Sequence, residues 1–344
     1  MIPPVEPIVR ADAIARVSFE RSDPVRMARF LADFGFVPLA PPAEGRQYFR
    51  GCGPASYCVE VIAGTHDVFL GFALSARSRD DLHALARFER RGLGPAEGPG
   101  GGERLRLHDP DGHRVDLLWG AETLSPLSVR EPLAAVNLPN AATRINRPVR
   151  SEPAPAPVFR IGHVVLQTPR FGEMMDWYRT RFGFLASDIA TIPDGTPVLG
   201  FFRFDRGEEP ADHHSLALLA GPDARLLHVS AETIDLDAIG QGQQHLRAQG
   251  WNHHWGIGRH VLGSQIFDYW KDNAGDEWEH YADGDIMTAD YPTGFHPLSR
   301  AGLWAWGDDL PDSMRPPGPL PADAPAQARA IFEALSVAPR PWLR

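Results

Sequence analysis

The chain has 344 residues, enough for two domains with substantial cores. Its 34 Lys and Arg against 44 Asp and Glu leave a net charge of −10, which argues against a nucleic-acid backbone binder, since that needs a basic stripe. No apolar run approaches the ~18 residues of a membrane span, and two cysteines, Cys52 and Cys58, exclude a disulfide framework or a Cys-rich zinc site.

The opening MIPPVEPIVRADAIARVSFE has neither a basic n-region nor an apolar h-region, so a reducing cytoplasm is the expected compartment. ARVSFE alternates as a strand does. Asp23 at the N-cap and Pro24 behind it start the helix VRMARFLADF, which Gly35 stops. FLGFALSA is the next strand; Ser78 caps the helix DDLHALARFERR, expected to end at Gly92. Strands RLRLHD and HRVDLLW are joined by the turn Asp109-Pro110-Asp111-Gly112. A Pro-rich stretch over 125–158 reads as a linker.

The pattern then repeats. Strand GHVVLQ precedes helix GEMMDWYRTRF and Gly183, followed by strands near VLGFFRFD and HSLALLA. Strand LLHVSAE precedes helix LDAIGQGQQHLRAQ, which Gly250 ends, and strands HHWGIGRH, SQIFDYWKD and EWEHYAD. FLADFGFVPLA (30–40) resembles WYRTRFGFLAS (177–187), with Gly35 and Gly183 aligned at an offset of 148. HDPDGHRVDLLWG (108–120) matches KDNAGDEWEHYAD (271–283) at an offset of 163. The unit is one strand, one helix and about three strands, used four times, which makes an α+β chain. The expected parts are an N-terminal module pair over 1–124, the linker, a second module pair over 159–306, and a Pro-rich extension over 307–344 carrying one short helix, AQARAIFEALS.

Ten of the 14 histidines lie between His163 and His296. His163 and His228 open matching strands of the second copy, and Glu279 follows the Gly275 turn on its last strand. A lone strand histidine is more often a hydrogen-bonded, half-buried residue. Two imidazoles and one carboxylate on three strands, however, would bind a divalent ion on one face and leave other positions open, as in non-heme Fe(II) oxygenases. The first copy has Ala15 or Arg16, about Gly71, and Asp116 at these places, and is expected to hold no metal.

The second half resembles the vicinal oxygen chelate superfamily, and more closely the type I extradiol ring-cleaving dioxygenases (catechol 2,3-dioxygenase and dihydroxybiphenyl dioxygenase). The residues that carry the likeness are IGHVVL with His163, RLLHVSAE with His228, and GIGRHVLGSQIFDYWKDNAGDEWEHY with His260, Tyr269 and Glu279. Asp268 departs from the apolar residue the pattern has before the Tyr, and marks an expected difference in substrate; Asn273 replaces a Pro. The resemblance implies four βαβββ modules in two tandem domains, the glyoxalase, bleomycin-resistance and dioxygenase fold. It implies Fe(II), with Mn(II) also suited, held by His163, His228 and Glu279. It further implies a small aromatic diol and O2 as partners, no nucleic acid, no membrane and a homo-oligomer. His214 falls where the family keeps an acid/base histidine, with His213 the one-residue alternative; His260 and Tyr269 would contact the substrate.

Other residues have plainer readings. His245 is expected in solvent, His280 on the sheet face opposite Glu279, and His253 or His254 against the pocket. Trp255, Phe201, Phe202, Trp270 and Trp278 are candidate walls, of which alternation turns only some inward. The rival functions are a glyoxalase-type isomerase, which wants a second carboxylate ligand, a 2-oxo-acid dioxygenase with the same triad, and a bleomycin-resistance-type binder without it.

Overall fold

Alternating apolar residues from Ala11 make a long first strand, β1 (Ala11–Arg21), in the computed structural model, which describes residues 3–40, 45–130, 137–150, 152–316 and 318–337. Parts of the expected linker (131–136, 151) and the end of the extension (338–344) lie outside the described residues. Helix α1 (Pro24–Phe34) starts as the sequence dictates, the Asp23 carboxylate accepting the Arg26 amide at 2.9 Å, and stops at Gly35. Strands β2 (Val37–Pro38), β3 (Arg46–Arg50) and β4 (Val59–Ala63) complete the first unit. The second unit is β5 (Val68–Ala76), α2 (Arg79–Glu89), β6 (Gly94–Pro95), β7 (Glu103–His108) and β8 (Arg114–Trp119). Helix α2 ends earlier than Gly92: Arg90 adopts the left-handed conformation (φ 51°) and its amide closes the last turn.

The third unit is β9 (Val158–Thr168), α3 (Phe171–Phe182), β10 (Leu185–Thr191), β11 (Pro197–Arg203), the short β12 (Ala211–Asp212) and β13 (Leu216–Ala220). The fourth is β14 (Arg225–Thr233), α4 (Leu236–Ala248), β15 (Asn252–Arg259), β16 (Ile266–Lys271) and β17 (Glu277–Ala282). Beyond it, β18 (Ile286–Met287) pairs with β12, β19 (Gly294–Pro297) adds to β10, and α5 (Ala326–Ser336) lies in the extension.

Units one and two share an eight-stranded sheet, β2-β3-β4-β1-β5-β8-β7-β6, and units three and four a nine-stranded one, β15-β16-β17-β14-β9-β13-β11-β10-β19. In each, the first strands of the two units run antiparallel at the centre, and each is flanked by the last strand of its own unit in parallel. This is the four-module α+β arrangement expected from the sequence. Among the described residues no helix is long and apolar enough to cross a membrane.

The sheets share a core because each copy's first helix packs on the other copy's second unit. Phe34 on α1 stacks on His280 of β17 at 3.7 Å, and Phe30 meets Trp251 at 5.1 Å and Trp278 at 6.1 Å. On the other side Tyr178 of α3 donates to Asp109 at 2.9 Å. The matching turn carboxylate, Asp272, accepts Arg21 at 2.9 Å, with both side chains wholly buried. Arg21 also contacts Asp276. Asp272 in addition accepts the Ala274 amide and the Trp278 indole N–H, so the turn and the interface are built on one carboxylate. Removing one partner of a buried ion pair strands the other charge. Arg21→Met is therefore expected to lower stability by about 3–5 kcal/mol in equilibrium denaturation; a loss below about 1 kcal/mol, the range of an exposed pair, would contradict this account.

Candidate metal centre

Three adjacent central strands place the candidate ligands. His163 on β9 stands opposite Ser230 of β14, which in turn stands opposite Glu279 of β17; His228 enters β14 two residues earlier. Because alternate residues share a face, Ser230 and His228 lie on one side of β14. Nε2 of His163 is 3.0 Å from Glu279 Oε2 and 3.4 Å from His228 Nε2, and His228 Nε2 is 3.5 Å from Glu279 Oε2. One donor atom from each residue falls within 4.8 Å of the others.

Glu279 has no exposure, and its Oε2 is buried without a hydrogen bond of its own. Burial opposes its charge, yet the contacts with His163 and His260 hold the carboxyl well below the usual range. Burial also pushes the His228 imidazole down to about 3. Neutral imidazoles beside a carboxylate are the protonation states that metal binding requires. The inward-aimed lone pairs fit a first-row divalent cation.

Around this triad, His214 packs on His163 with ring centres 4.1 Å apart. Burial, then the neighbouring His163 and His213, push its imidazole well below the ordinary value. His213 turns away from the cleft to Asp188, so it is His214 that lines the cavity. His260, just past β15, donates Nδ1 to the Leu303 carbonyl at 2.7 Å. Its Nε2 lies 3.1 Å from the Tyr269 hydroxyl and 3.3 Å from Glu279 Oε1. Burial and the Glu279 charge push the Tyr269 phenol well above its usual range. His163, His228, His214, His260 and Tyr269 all line one cleft of about 2260 Å³, with Glu279 buried behind them.

Several expectations need correction. Asp268 does not face the cleft: it is fully buried on the opposite side of β16, accepting from His253 (2.8 Å), Gln243 (3.0 Å) and Trp270 (2.7 Å). Neither His253 nor His254 lines the cleft; His254 is tied to Ser313 and Glu277. His245 is half-buried, 3.1 Å from Asp33 of α1, rather than in solvent. Of the five aromatic candidates, Phe201 and Trp255 line the cleft, while Phe202, Trp270 and Trp278 belong to the core. His280 faces the opposite side, donating Nε2 to the Phe34 carbonyl at 2.7 Å.

Two features escaped the sequence. The extension builds a wall of the cleft through Leu310, Met314, Leu320 and Ile331. His213 continues to Asp188 and on to His296, partners with no signal in local spacing.

In the first sheet the same register sets Arg16 against Ala73 and Ala73 against Asp116, so Arg16 rather than Ala15 matches His163. Arg106 stands opposite Asp116 as Tyr269 does opposite Glu279. Asp116 takes Arg106 at 2.9 and 3.1 Å, with Arg16 at 3.6 Å and Arg114 at 3.8 Å. Gly71 stands where His228 does, and a Cβ there would lie 2.0 Å from the Arg114 carbonyl oxygen. Guanidinium groups offer no lone pair to a cation. Titration of the metal-free protein with Mn(II) or Fe(II) is thus expected to give one ion per chain. Glu279→Gln should abolish binding and Asp116→Asn should leave the stoichiometry unchanged, whereas a second equivalent lost with Asp116 would refute the assignment.

Residues 160–280 match the family model of the Glyoxalase/Bleomycin resistance protein/Dioxygenase superfamily. Metapyrocatechase 2 of Cupriavidus necator is 28% identical over 325 residues, covering 90% of this chain and 93% of that protein. A Mn(II)-bound glyoxalase from Novosphingobium aromaticivorans has a similar fold, with a TM-score of 0.74, 22% identity and coverage of 91% of this chain and 97% of that one. Homoprotocatechuate 2,3-dioxygenase from Brevibacterium fuscum, in complex with 3,4-dihydroxyphenylacetate, gives 0.72 and 18%, over 91% of this chain and 94% of that one. The stretch matched by the family model is the one that carries His163, His228 and Glu279.

Proposed function

We propose that the protein is an Fe(II)-dependent extradiol dioxygenase that opens the ring of a catechol-type substrate with O2. The observation that carries this reading is the meeting of two imidazoles and one buried carboxylate, with His214, His260 and Tyr269 around them at one cleft. The similarity to metapyrocatechase 2 along nearly the whole chain supports it. His163, His228 and Glu279 would hold the iron, which would supply Lewis-acid and redox chemistry toward the diol and dioxygen; Mn(II) suits the same donors.

The side chains do the rest. His260, oriented by the Leu303 carbonyl, and the Tyr269 hydroxyl form a polar pair beside Glu279 that would hold a substrate oxygen. Tyr269 stays protonated and so can donate as charge develops there. His214, held neutral, accepts a proton from the substrate and returns it as the O–O bond breaks. Phe201, Trp255 and the apolar wall of the extension keep water from the ring.

The site argues against the isomerase. Val164 pairs with Leu216, so the place on β13 that corresponds to Glu279 on β17 falls at Ala217, and the second carboxylate is missing there. The His260–Tyr269 pair favours ring cleavage over 2-oxo-acid chemistry.

Anaerobic Fe(II) loading followed by a panel of substituted catechols, with dioxygen uptake recorded, tests the reading. Uptake of one O2 per diol is expected. His214→Ala should lower kcat by about 10²–10⁴-fold with iron content unchanged. A fully loaded enzyme that consumes no dioxygen with any catechol would exclude this function.

A further inference from the structure

Behind His214 a file of polar side chains runs through His213 and Asp188 to His296, which lines the same cleft further along. Nδ1 of His214 is 3.0 Å from Nδ1 of His213, whose ring stands perpendicular to it. Nε2 of His213 is 2.7 Å from Asp188 Oδ2, and the other oxygen, Oδ1, is 2.7 Å from His296 Nε2. His213 has no exposure, whereas the His296 side chain is 42% exposed. The backbone fixes the file: the His213 amide donates to the Asp285 carbonyl at 2.8 Å, and its carbonyl accepts the Ser187 hydroxyl at 2.6 Å. Gly294, paired with Asp188 across β10 and β19, keeps the last link open, because a Cβ there would lie 2.0 Å from Asp188 Oδ1.

The order of donors follows from elementary chemistry. A carboxylate only accepts, so the His213 nitrogen facing it carries the hydrogen. Burial opposes the charge on Asp188, but the bonds from His213 and His296 outweigh it and hold its carboxyl below the usual range. A neutral imidazole with hydrogen on Nε2 presents a bare Nδ1. The 3.0 Å contact between the two Nδ1 atoms is then a hydrogen bond only if His214 donates it.

We propose that His213 and Asp188 are positioning residues that lock His214 in its Nδ1–H tautomer, leaving Nε2 as its proton-accepting atom. The use of that atom in ring cleavage rests on the function proposed above; the tautomer itself does not. A hydrogen bond to one ring nitrogen deciding what the other can do is a general property of histidine.

The test has two readouts on the full-length chain. In metal-free protein labelled with 15N in its imidazoles, two-bond proton–nitrogen correlations distinguish the tautomers, and His214→Gln identifies the His214 signals. The expected result is Nδ1–H in the wild type, lost in His213→Phe and restored in His213→Asn, whose Oδ1 replaces the accepting nitrogen. In the iron-loaded enzyme, His213→Phe should lower kcat about tenfold to a hundredfold, with KM within about twofold and metal content intact. His213→Asn should recover most of that loss. An Nε2–H or doubly protonated His214 in the wild type, or a tautomer unchanged in His213→Phe, would overturn the proposal. Should His213→Phe fail to fold, the wild-type tautomer decides alone. An Nδ1–H tautomer in a protein that cleaves no catechol would support the lock and remove the ring-cleavage reading.

Discussion

A carboxylate with no access to water has to be neutralised by its surroundings, and the arrangement of this molecule around Glu279 follows from that. A buried unpaired charge costs several kcal/mol even after relaxation. Glu279 is surrounded by imidazoles from two neighbouring strands and from the turn after β15. The parallel register of β14 and β17 makes this meeting possible. A slip of one residue would turn Glu279 into the core and bring His280 to the cleft. The slip is opposed from the other face, where His280 is hydrogen-bonded to the Phe34 carbonyl and stacked on Phe34. One strand thus carries the candidate ligand Glu279 on one side and the joint between the two copies on the other.

The two copies solve the same charge problem in opposite ways. Asp116 is neutralised by guanidinium groups, which keep their charge at every ordinary pH and have no lone pair to give. The Tyr57 hydroxyl, two residues before Val59, stands where His214 stands before Leu216 and closes the cluster on Arg16. Gly71 removes the third position altogether. Glu279 instead has imidazoles around it, whose ring nitrogens can offer lone pairs beside the carboxylate oxygens. The first arrangement is complete by itself, whereas the second leaves ligand atoms together that could hold a cation.

How much of this could be read from the sequence depended on regularity. Glu279, His163 and His228 sit in regular strands related by an internal repeat, so spacing and alternation were enough to put them together. The turn carboxylates Asp109 and Asp272 were legible in the same way. His213 and His214 were not separable, because they lie in the irregular approach to β13, where alternation assigns no face. Asp188 and His296 reach His213 from positions 25 residues before and 83 residues after it, through pairing of β10 with β19 that no local pattern announces. Asp268, an acidic residue in an apolar slot, gives no sign in the sequence of the face it occupies. Its partners on the far face, Gln243 and His253, are visible only once α4 is packed on β15 and β16. His245 was misplaced for the same reason: its partner Asp33 belongs to the other copy.

The extension shows why an irregular, Pro-rich segment can matter to a site built on strands. Its apolar side chains have neither a helical nor a strand period before α5, so nothing in their order points to a common face. Their position is set instead by the chain just before them. The Leu303 carbonyl takes the His260 Nδ1 hydrogen, Trp304 is buried beside Trp255, and the Asp308 carbonyl accepts the Trp255 indole N–H at 2.8 Å. The stretch that orients His260 therefore also delivers Leu310 and Met314 to the cleft. A shift of this segment would change the wall that a ring packs against and the nitrogen that His260 presents in a single movement. Polar placement and apolar enclosure are in this way one structural property of residues 303–314.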